Sequence, residues 1–251
     1  MKEILRTEQL VKNYPKKKQE SSSEEIKVLK QIDLSINENE YVGIMGRSGC
    51  GKTTLLKILG LIERQTSGKV FFEGTDTKTL WESELADIRR RKIGFVFQDF
   101  YLMDSLSVIE NIMLPMILDK VSKEECLQKG KELAEQLGLQ HLLNKYPHEL
   151  SGGEKQRVAI SRALIHSPEV IFADEPTGNL DSKSGEIVIN EFQKMNEEWK
   201  KTVVMVTHDP KMASYCKRII FLKDGFVLRE MHREGSREQF YHEILQYMQE
   251  L

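Results

Sequence analysis

Residues 41–59, YVGIMGRSGCGKTTLLKIL, decide the fold. The segment opens on an apolar run, Tyr41 to Met45. It passes through Gly46-Arg47-Ser48-Gly49-Cys50-Gly51-Lys52-Thr53-Thr54 and closes on Leu55, Leu56, Ile58 and Leu59. The middle fits GxxxxGK[ST], and a strand before it with a helix after it is the setting that pattern needs. Glycines let successive amides point inward at a polyphosphate. The helix N-terminus adds positive potential at the same place. Lys52 then supplies a charge to the β- and γ-phosphates, and the Thr53 hydroxyl can ligate Mg2+.

Further short runs of β-branched and aromatic residues recur at Lys69–Phe72, Ile93–Phe97, Val170–Ala173, Val203–Thr207 and Arg218–Leu222, with helical patterns between most of the later ones. This alternation predicts an α/β fold with a largely parallel sheet. The run Val170–Ala173 ends in Asp174-Glu175. Adjacent strand residues point to opposite sides, so the two acids are expected to do different work. Asp174 would hold Mg2+ through its water shell, and Glu175 would polarise the water attacking the γ-phosphate.

Helix starts are legible where Ser107-Val-Ile-Glu110, Ser122-Lys-Glu-Glu125 and Ser236-Arg-Glu-Gln239 match the capping box. The helix from Ser122 carries Leu127, Leu133 and Leu137 and stops at Gly138. Val188, Phe192, Met195 and Trp199 form one stripe, and Phe240, Ile244, Tyr247 and Leu251 another. Both stripes read as core, with a partner groove as the alternative for the last. Lys16–Glu25 (KKKQESSSEE) reads as a solvated hairpin loop between two early strands.

The chain has 251 residues, with 37 Lys plus Arg against 39 Asp plus Glu and a formal net charge of −2. That balance argues against nucleic acid as a partner bound through general basicity. No stretch reaches the ~20 apolar residues of a membrane span; the longest, Ile112–Leu118, is interrupted by Pro115. The first ten residues lack the apolar core of a signal peptide. Cys50, Cys126 and Cys216 are odd in number and without metal-ligand spacing. A reduced, cytosolic compartment is expected. Cys50, inside the glycine loop, reads as a small filler.

Leu150-Ser151-Gly152-Gly153-Glu154-Lys155-Gln156-Arg157 is a second anion site by composition. Ser151 and Glu154 match a capping box, and Gly152 and Gly153 keep the first turn bare. A bare helix start with a free hydroxyl suits phosphate. One nucleotide does not need two such cradles in one domain; a site shared between two copies would use both.

With LSGGEKQR in view, the chain resembles the nucleotide-binding subunits of ABC transporters from about Leu5 to Gly225. The resemblance implies a P-loop NTPase core with a mostly parallel sheet, an N-terminal antiparallel β subdomain and an α-helical signature subdomain near residues 99–160. It places the ATP-binding domain at 1–225, with 226–251 as its C-terminal extension. ATP and Mg2+ are the implied cofactors. Tyr14 falls where an aromatic stacks on adenine. Gln98 matches the glutamine that senses the γ-phosphate and the membrane partner, joining Thr53 and Asp174 at the metal. Gly178-Asn179-Leu180-Asp181 matches the D-loop, and His208 the switch histidine. The implied catalytic set is Glu175, His208, Gln98, Lys52 and Ser151. Two subunits close head to tail on ATP. Gly46, Arg47, Ser48, Gly49, Cys50, Gly51, Lys52, Thr53 and Thr54 of one copy face Ser151, Gly152 and Gly153 of the other, with Asp181 near the seam. The implied partner is an integral-membrane permease, docked on Asp99–Leu106 (DFYLMDSL), which places the chain on the cytoplasmic face of the cell membrane.

Asp174-Glu-Pro-Thr-Gly-Asn-Leu-Asp181 and Tyr146-Pro-His-Glu-Leu150 resemble the branch of lipoprotein-release, macrolide-export, cell-division and antimicrobial-peptide ATPases. Ala213-Ser-Tyr-Cys216, Ile220-Phe-Leu-Lys-Asp-Gly225 and Gly235-Ser-Arg-Glu-Gln-Phe-Tyr241 are similar to the bacitracin-export type, whose permease often stands beside a sensor kinase. Met231–Gly235 and Lys16–Glu25 depart from that type. A soluble ABC ATPase acting on DNA or the ribosome would bring coiled-coil insertions or tandem cassettes. A small-molecule kinase or GTPase would leave LSGGEKQR without a purpose.

Overall fold

The computed structural model describes residues 2–16 and 25–250. In chain order the elements are β1 (Glu3–Pro15), β2 (Glu25–Asn37), β3 (Tyr41–Met45), α1 (Lys52–Leu59), β4 (Ser67–Phe72), β5 (Thr75–Asp76), α2 (Glu82–Arg91), β6 (Ile93–Phe97), α3 (Val108–Leu118), α4 (Lys123–Gln136), α5 (Gly152–Leu164), β7 (Val170–Asp174), α6 (Ser182–Glu197), β8 (Thr202–Val206), α7 (Pro210–Ala213), β9 (Arg218–Lys223), β10 (Phe226–His232) and α8 (Arg237–Gln249). They form two compact units: Met1–Ala86 with Val204–Leu251, and Asp87–Val203.

In the first unit, β2, β1, β4 and β5 make an antiparallel sheet in that order. Its register sets Thr7 opposite Leu34 and Pro15 opposite Glu25. The expected hairpin loop at Lys16–Glu25 falls largely on residues 17–24, outside the described residues. Leu5, Leu10, Leu29, Ile32 and Ile36 are buried and supply the sheet's apolar face. The same unit holds β3 parallel to β9, and β10 antiparallel to β9. All five residues of β3 are buried, as a parallel strand covered on both faces requires. Ser236 caps α8, which buries Phe240 and Ile244 and sets Tyr247 edge-on to Phe221 at 4.6 Å. The last stripe is therefore core at Phe240 and Ile244, with Tyr247 half-buried at its edge; Leu251 lies outside the described residues.

In the second unit, β6 pairs parallel with β7, Phe97 standing opposite Asp174. Pro115 does not end the apolar run Ile112–Leu118: α3 continues through it, with Ile117 and Leu118 exposed. The leucines noted in α4 are not its main buried face. Its buried face is Cys126, Gly130 and Ala134, continued by Leu137, whereas Leu127 and Leu133 are half-buried. A side chain at position 130 would begin 2.8 Å from Ile109 Cδ1, so α4 approaches α3 across a glycine. Val188, Phe192 and Met195 are buried as expected. Trp199 lies past the end of α6, with the Lys194 ammonium over its ring. Among the described residues no helix is long and apolar enough to cross a membrane.

Candidate functional site

The glycine loop lies in the first unit. A Cβ at Gly46 would stand 2.2 Å from the Leu222 carbonyl oxygen and 2.7 Å from Cys50 Sγ. The chain leaves β3 through a gap only glycine fits. Gly51, at φ +104°, is the N-cap of α1; it offers no side-chain cap, and the first turn carries no acid. The opening amides of α1 are thus left for an anion. Arg47, Ser48, Gly49 and Thr53 are exposed. A Cβ at Gly49 would meet nothing within 4 Å, so the loop's crest is open. Lys52 is buried, and its Nζ donates to the carbonyls of Gly46 (2.9 Å) and Arg47 (3.1 Å). The charge is folded inside the arch it serves. Burial pushes the Cys50 thiol up, against the opposing pull of Lys52. It is a poor thiolate that packs as filler against Gly46.

Gly46→Ala is expected to lower the melting temperature of the nucleotide-free chain, because overpacking against a backbone carbonyl costs about 2–3 kcal/mol. ATP titration of the same variant should show no saturable binding. Wild-type affinity would mean that the loop yields without loss.

Also in the first unit, Tyr14 stands near the end of β1, half-buried, with its hydroxyl on Glu63 (2.8 Å) and a hydrogen bond to the Thr54 side chain. His208 is exposed just after β8. Its neighbour Thr207 donates its amide to Ile44 O at 3.2 Å. The histidine is thereby tied to the strand that feeds the glycine loop.

The second unit holds the other candidates. Asp174 closes β7, but Glu175 departs at φ +47°. Strand alternation therefore does not reach Glu175; a left-handed turn aims its carboxylate. Gln98 Nε2 donates to Asn179 Oδ1 (3.1 Å), and Asn179 Nδ2 donates to Gln98 O (3.2 Å) and Asp99 Oδ1 (3.0 Å). A Cβ at Gly178 would meet Gln98 Nε2 at 2.8 Å. The glutamine and the Gly178–Asp181 segment are thus knitted together. Gln156, fully buried, donates from Nε2 to Phe97 O (3.3 Å) and Pro176 O (2.8 Å). Those residues adjoin Gln98 and Glu175. Its role escaped the sequence reading, although it stands inside LSGGEKQR.

Ser151 caps α5 but its hydroxyl is not free, which corrects the expectation. It donates to Glu154 Oε2 (2.7 Å) and accepts from the Glu154 amide (3.3 Å). Those bonds, led by the serine side chain, hold the Glu154 carboxyl below its usual range. A phosphate would have to turn the hydroxyl away from Glu154. The bare glycines also serve the chain's own packing: a Cβ at Gly152 would meet Leu180 Cδ2 at 3.0 Å, and one at Gly153 Ser184 Cβ at 3.1 Å. Asp181 caps α6, accepting from the amides of Lys183 and Ser184 and from the Ser184 hydroxyl.

The segment after Gln98 is held from two sides. Phe100 and Tyr101 both have positive φ, +60° and +45°. Arg162 of α5 donates to their carbonyls at 2.8 Å and 2.5 Å. Asn111, fully buried in α3, accepts from Met103 N (2.8 Å) and donates to the carbonyls of Met103, Leu106 and Ser107. Sequence reasoning missed this residue, an amide directly before the apolar run Ile112–Leu118.

Among the described residues no cluster of three or more His, Cys, Asp or Glu could cage a metal ion. Thr53, Gln98 and Asp174 offer a hydroxyl, an amide oxygen and a carboxylate. Each is a hard oxygen donor of the kind Mg2+ takes, Thr53 in the first unit and Gln98 and Asp174 in the second.

The family model described as ABC transporter matches residues 29–178. The chain is similar to the ABC transporter ATP-binding protein YvcR of Bacillus subtilis (strain 168), 49% identical over 242 residues, 96% of this chain and 92% of that one. It is similar to the bacitracin export ATP-binding protein BceA of Halalkalibacterium halodurans, 47% identical over 87% of each chain. The lipoprotein-releasing system ATP-binding protein LolD of Aquifex aeolicus is 48% identical over 82% of this chain and 92% of its own. Among solved structures, the dimeric post-hydrolysis state of the ATP-binding cassette MJ0796, bound to ADP and Pi, superposes with a TM-score of 0.83. It is 43% identical and covers 93% of this chain and 100% of that one. That cassette is from Methanocaldococcus jannaschii.

Proposed function

This chain belongs to the ABC transporter family, and we propose that it is the ATP-binding and ATP-hydrolysing subunit driving a membrane permease that exports, removes or senses peptide antibiotics of the bacitracin type. The chain is an ATPase. One observation carries the mechanism: α1 starts uncapped behind Gly46–Gly51, its opening amides left for an anion, and the same chain carries a second glycine-rich helix start at Ser151–Gly153 of α5, where a phosphate would take the place of Glu154 on the Ser151 hydroxyl.

On this reading Gly46 to Thr54 hold the triphosphate, and Tyr14 stacks on the base. Thr53, Gln98 and Asp174 hold Mg2+, which when bound screens the phosphate charge. Glu175 takes up the proton of the attacking water, and His208 donates to the γ-phosphate. Ser151, Gly152 and Gly153 of a second copy close over the phosphates, so the homodimer forms on ATP, with Asp181 at its seam. The functional divisions are the ATP-binding domain of residues 1–225, its signature-bearing helical part at about 99–160, and the closing extension 226–251. The chain sits on the cytoplasmic face of the membrane through its permease, with an indirect link to a sensor kinase.

The match to BceA over 87% of each chain, together with the quoted segments from Ala213 to Tyr241, supports the peptide-antibiotic class. The match to LolD supports the alternative, a lipoprotein-release, macrolide-export or cell-division complex. Solubilising membranes and isolating the permease that accompanies this chain separates them. About ten spans with a large extracytoplasmic domain support the first reading, and about four spans the second.

The docking surface on 99–106 makes its own prediction. Tyr101 is 61% exposed and Met103 50% exposed, while Asn111 holds only the backbone of Met103. Met103→Asp is expected to leave folding and ATP binding unchanged, since half of that side chain already stands in solvent. Burying its carboxylate under a permease is costly, so recovery of the permease should fall about tenfold or more. Unchanged co-purification would refute docking there.

A further inference from the structure

Lys12 and Tyr14, two apart on β1, meet the same residue from the loop after α1. Lys12 Nζ lies 2.8 Å from Glu63 Oε1 and 2.8 Å from Arg64 O. The Tyr14 hydroxyl donates to Glu63 Oε2 at 2.8 Å. One carboxylate therefore binds both strand residues, one per oxygen. The Lys12 ammonium also lies over the Tyr14 ring, 4.8 Å from its centroid. Glu63 is itself anchored: its amide and that of Ile62 both bond to Lys57 O, at 3.2 Å and 2.8 Å, closing the end of α1. The other end of α1 is the phosphate loop. The side chains of Lys12 and Glu63 are only 13% and 27% exposed, so the pair is shielded from most of the screening that weakens surface ion pairs. Burial alone would raise the Glu63 carboxyl, yet the bonds from Lys12 and Tyr14 outweigh it and hold the group ionised.

We propose that Lys12 and Glu63 are positioning residues for the nucleobase: they lock the Tyr14 ring to the helix that carries the phosphate loop and so set the reach between base and triphosphate. The proposal rests on Tyr14 being the base platform. The Lys12 ammonium takes one side of this half-buried ring, and an aromatic face is what a base stacks on. Glu63 removes the ring's rotational freedom before the nucleotide arrives, so less ordering is left to binding.

The test compares ATP with inorganic tripolyphosphate, each with Mg2+, by calorimetry on the full-length chain. Glu63→Ala is expected to weaken ATP about fivefold, the worth of one hydrogen bond. It should leave tripolyphosphate within about twofold, because that ligand has no base to stack. Lys12→Met should act in the same sense, and serves if Glu63→Ala does not fold. In a Tyr14→Ala background, Glu63→Ala should weaken ATP no further. Equal weakening of both ligands would overturn the proposal in favour of a general structural role. Loss of ATP affinity in Tyr14→Ala but not in Glu63→Ala or Lys12→Met would overturn it while leaving the platform intact. Unchanged ATP affinity in Tyr14→Ala would remove the platform reading itself, and the proposal with it.

Discussion

Glu175→Gln is expected to keep ATP binding while cutting steady-state hydrolysis by about 10²–10⁴-fold, the usual worth of a positioned general base. The amide is nearly the size of the carboxylate, so the left-handed turn at φ +47° can hold it without new strain. It cannot accept the proton of the attacking water. The triphosphate then stays intact between the two helix starts, and nothing adds charge to force them apart. The closed pair should accumulate. Gel filtration with ATP and Mg2+ reads this directly: the variant should elute as a dimer, and the wild type should return to its nucleotide-free elution position as ATP is spent. A monomeric Glu175→Gln chain under those conditions would count against closure on ATP.

The second large effect is complementation between two dead chains. Lys52→Ala removes the charge inside the phosphate loop. Ser151→Asp can still accept from the Glu154 amide as a cap, loses the hydroxyl bond to Glu154 Oε2, and places a negative charge where the second copy's triphosphate is expected. Each variant alone should show background ATPase. Mixed, the heterodimer has one centre with both lesions and one with neither. Random pairing should restore up to roughly a quarter of wild-type activity. The measurement is phosphate release against mixing ratio, which should peak near equal amounts. Background activity at every ratio would mean that each chain hydrolyses ATP without its twin.

Much of this was legible in the residues. Tyr41–Met45 and Ile93–Phe97 are strands to the residue, because β-branched and aromatic runs bounded by turns have no competing period. The Ser122, Ser151 and Ser236 caps formed as their spacing implied, and at Ser107 the Glu110 half of the box formed alone. Three features were not legible because they depend on what a segment packs against. α3 passes through Pro115, since its neighbours supply more than the lost amide bond is worth. α4 buries Gly130 rather than a leucine, since the approach of α3 and not hydropathy chose the face. Glu175 takes a left-handed turn that no alternation rule carries past a strand end. The site residues the sequence could not single out, Gln156 and Asn111, bond to backbone. Carbonyl partners leave no trace in a motif, and neither does the pairing of Glu63 with residues some fifty positions away.

Phe100 and Tyr101, wound against the usual hand, form a tensioned latch. Each such residue costs about 1–3 kcal/mol, and the catch is one guanidinium, Arg162, reaching from the rod whose first turn begins at Ser151. Tyr101 faces outward, so whatever grips that ring tugs on a carbonyl that Arg162 also holds. The tug runs along α5, roughly 16 Å from Arg162 to Ser151 at the ordinary helical rise. On the proposed reading, force from a permease and news of a bound phosphate would travel the same stiff rod in opposite directions, while Asn111 steadies the segment from its other side.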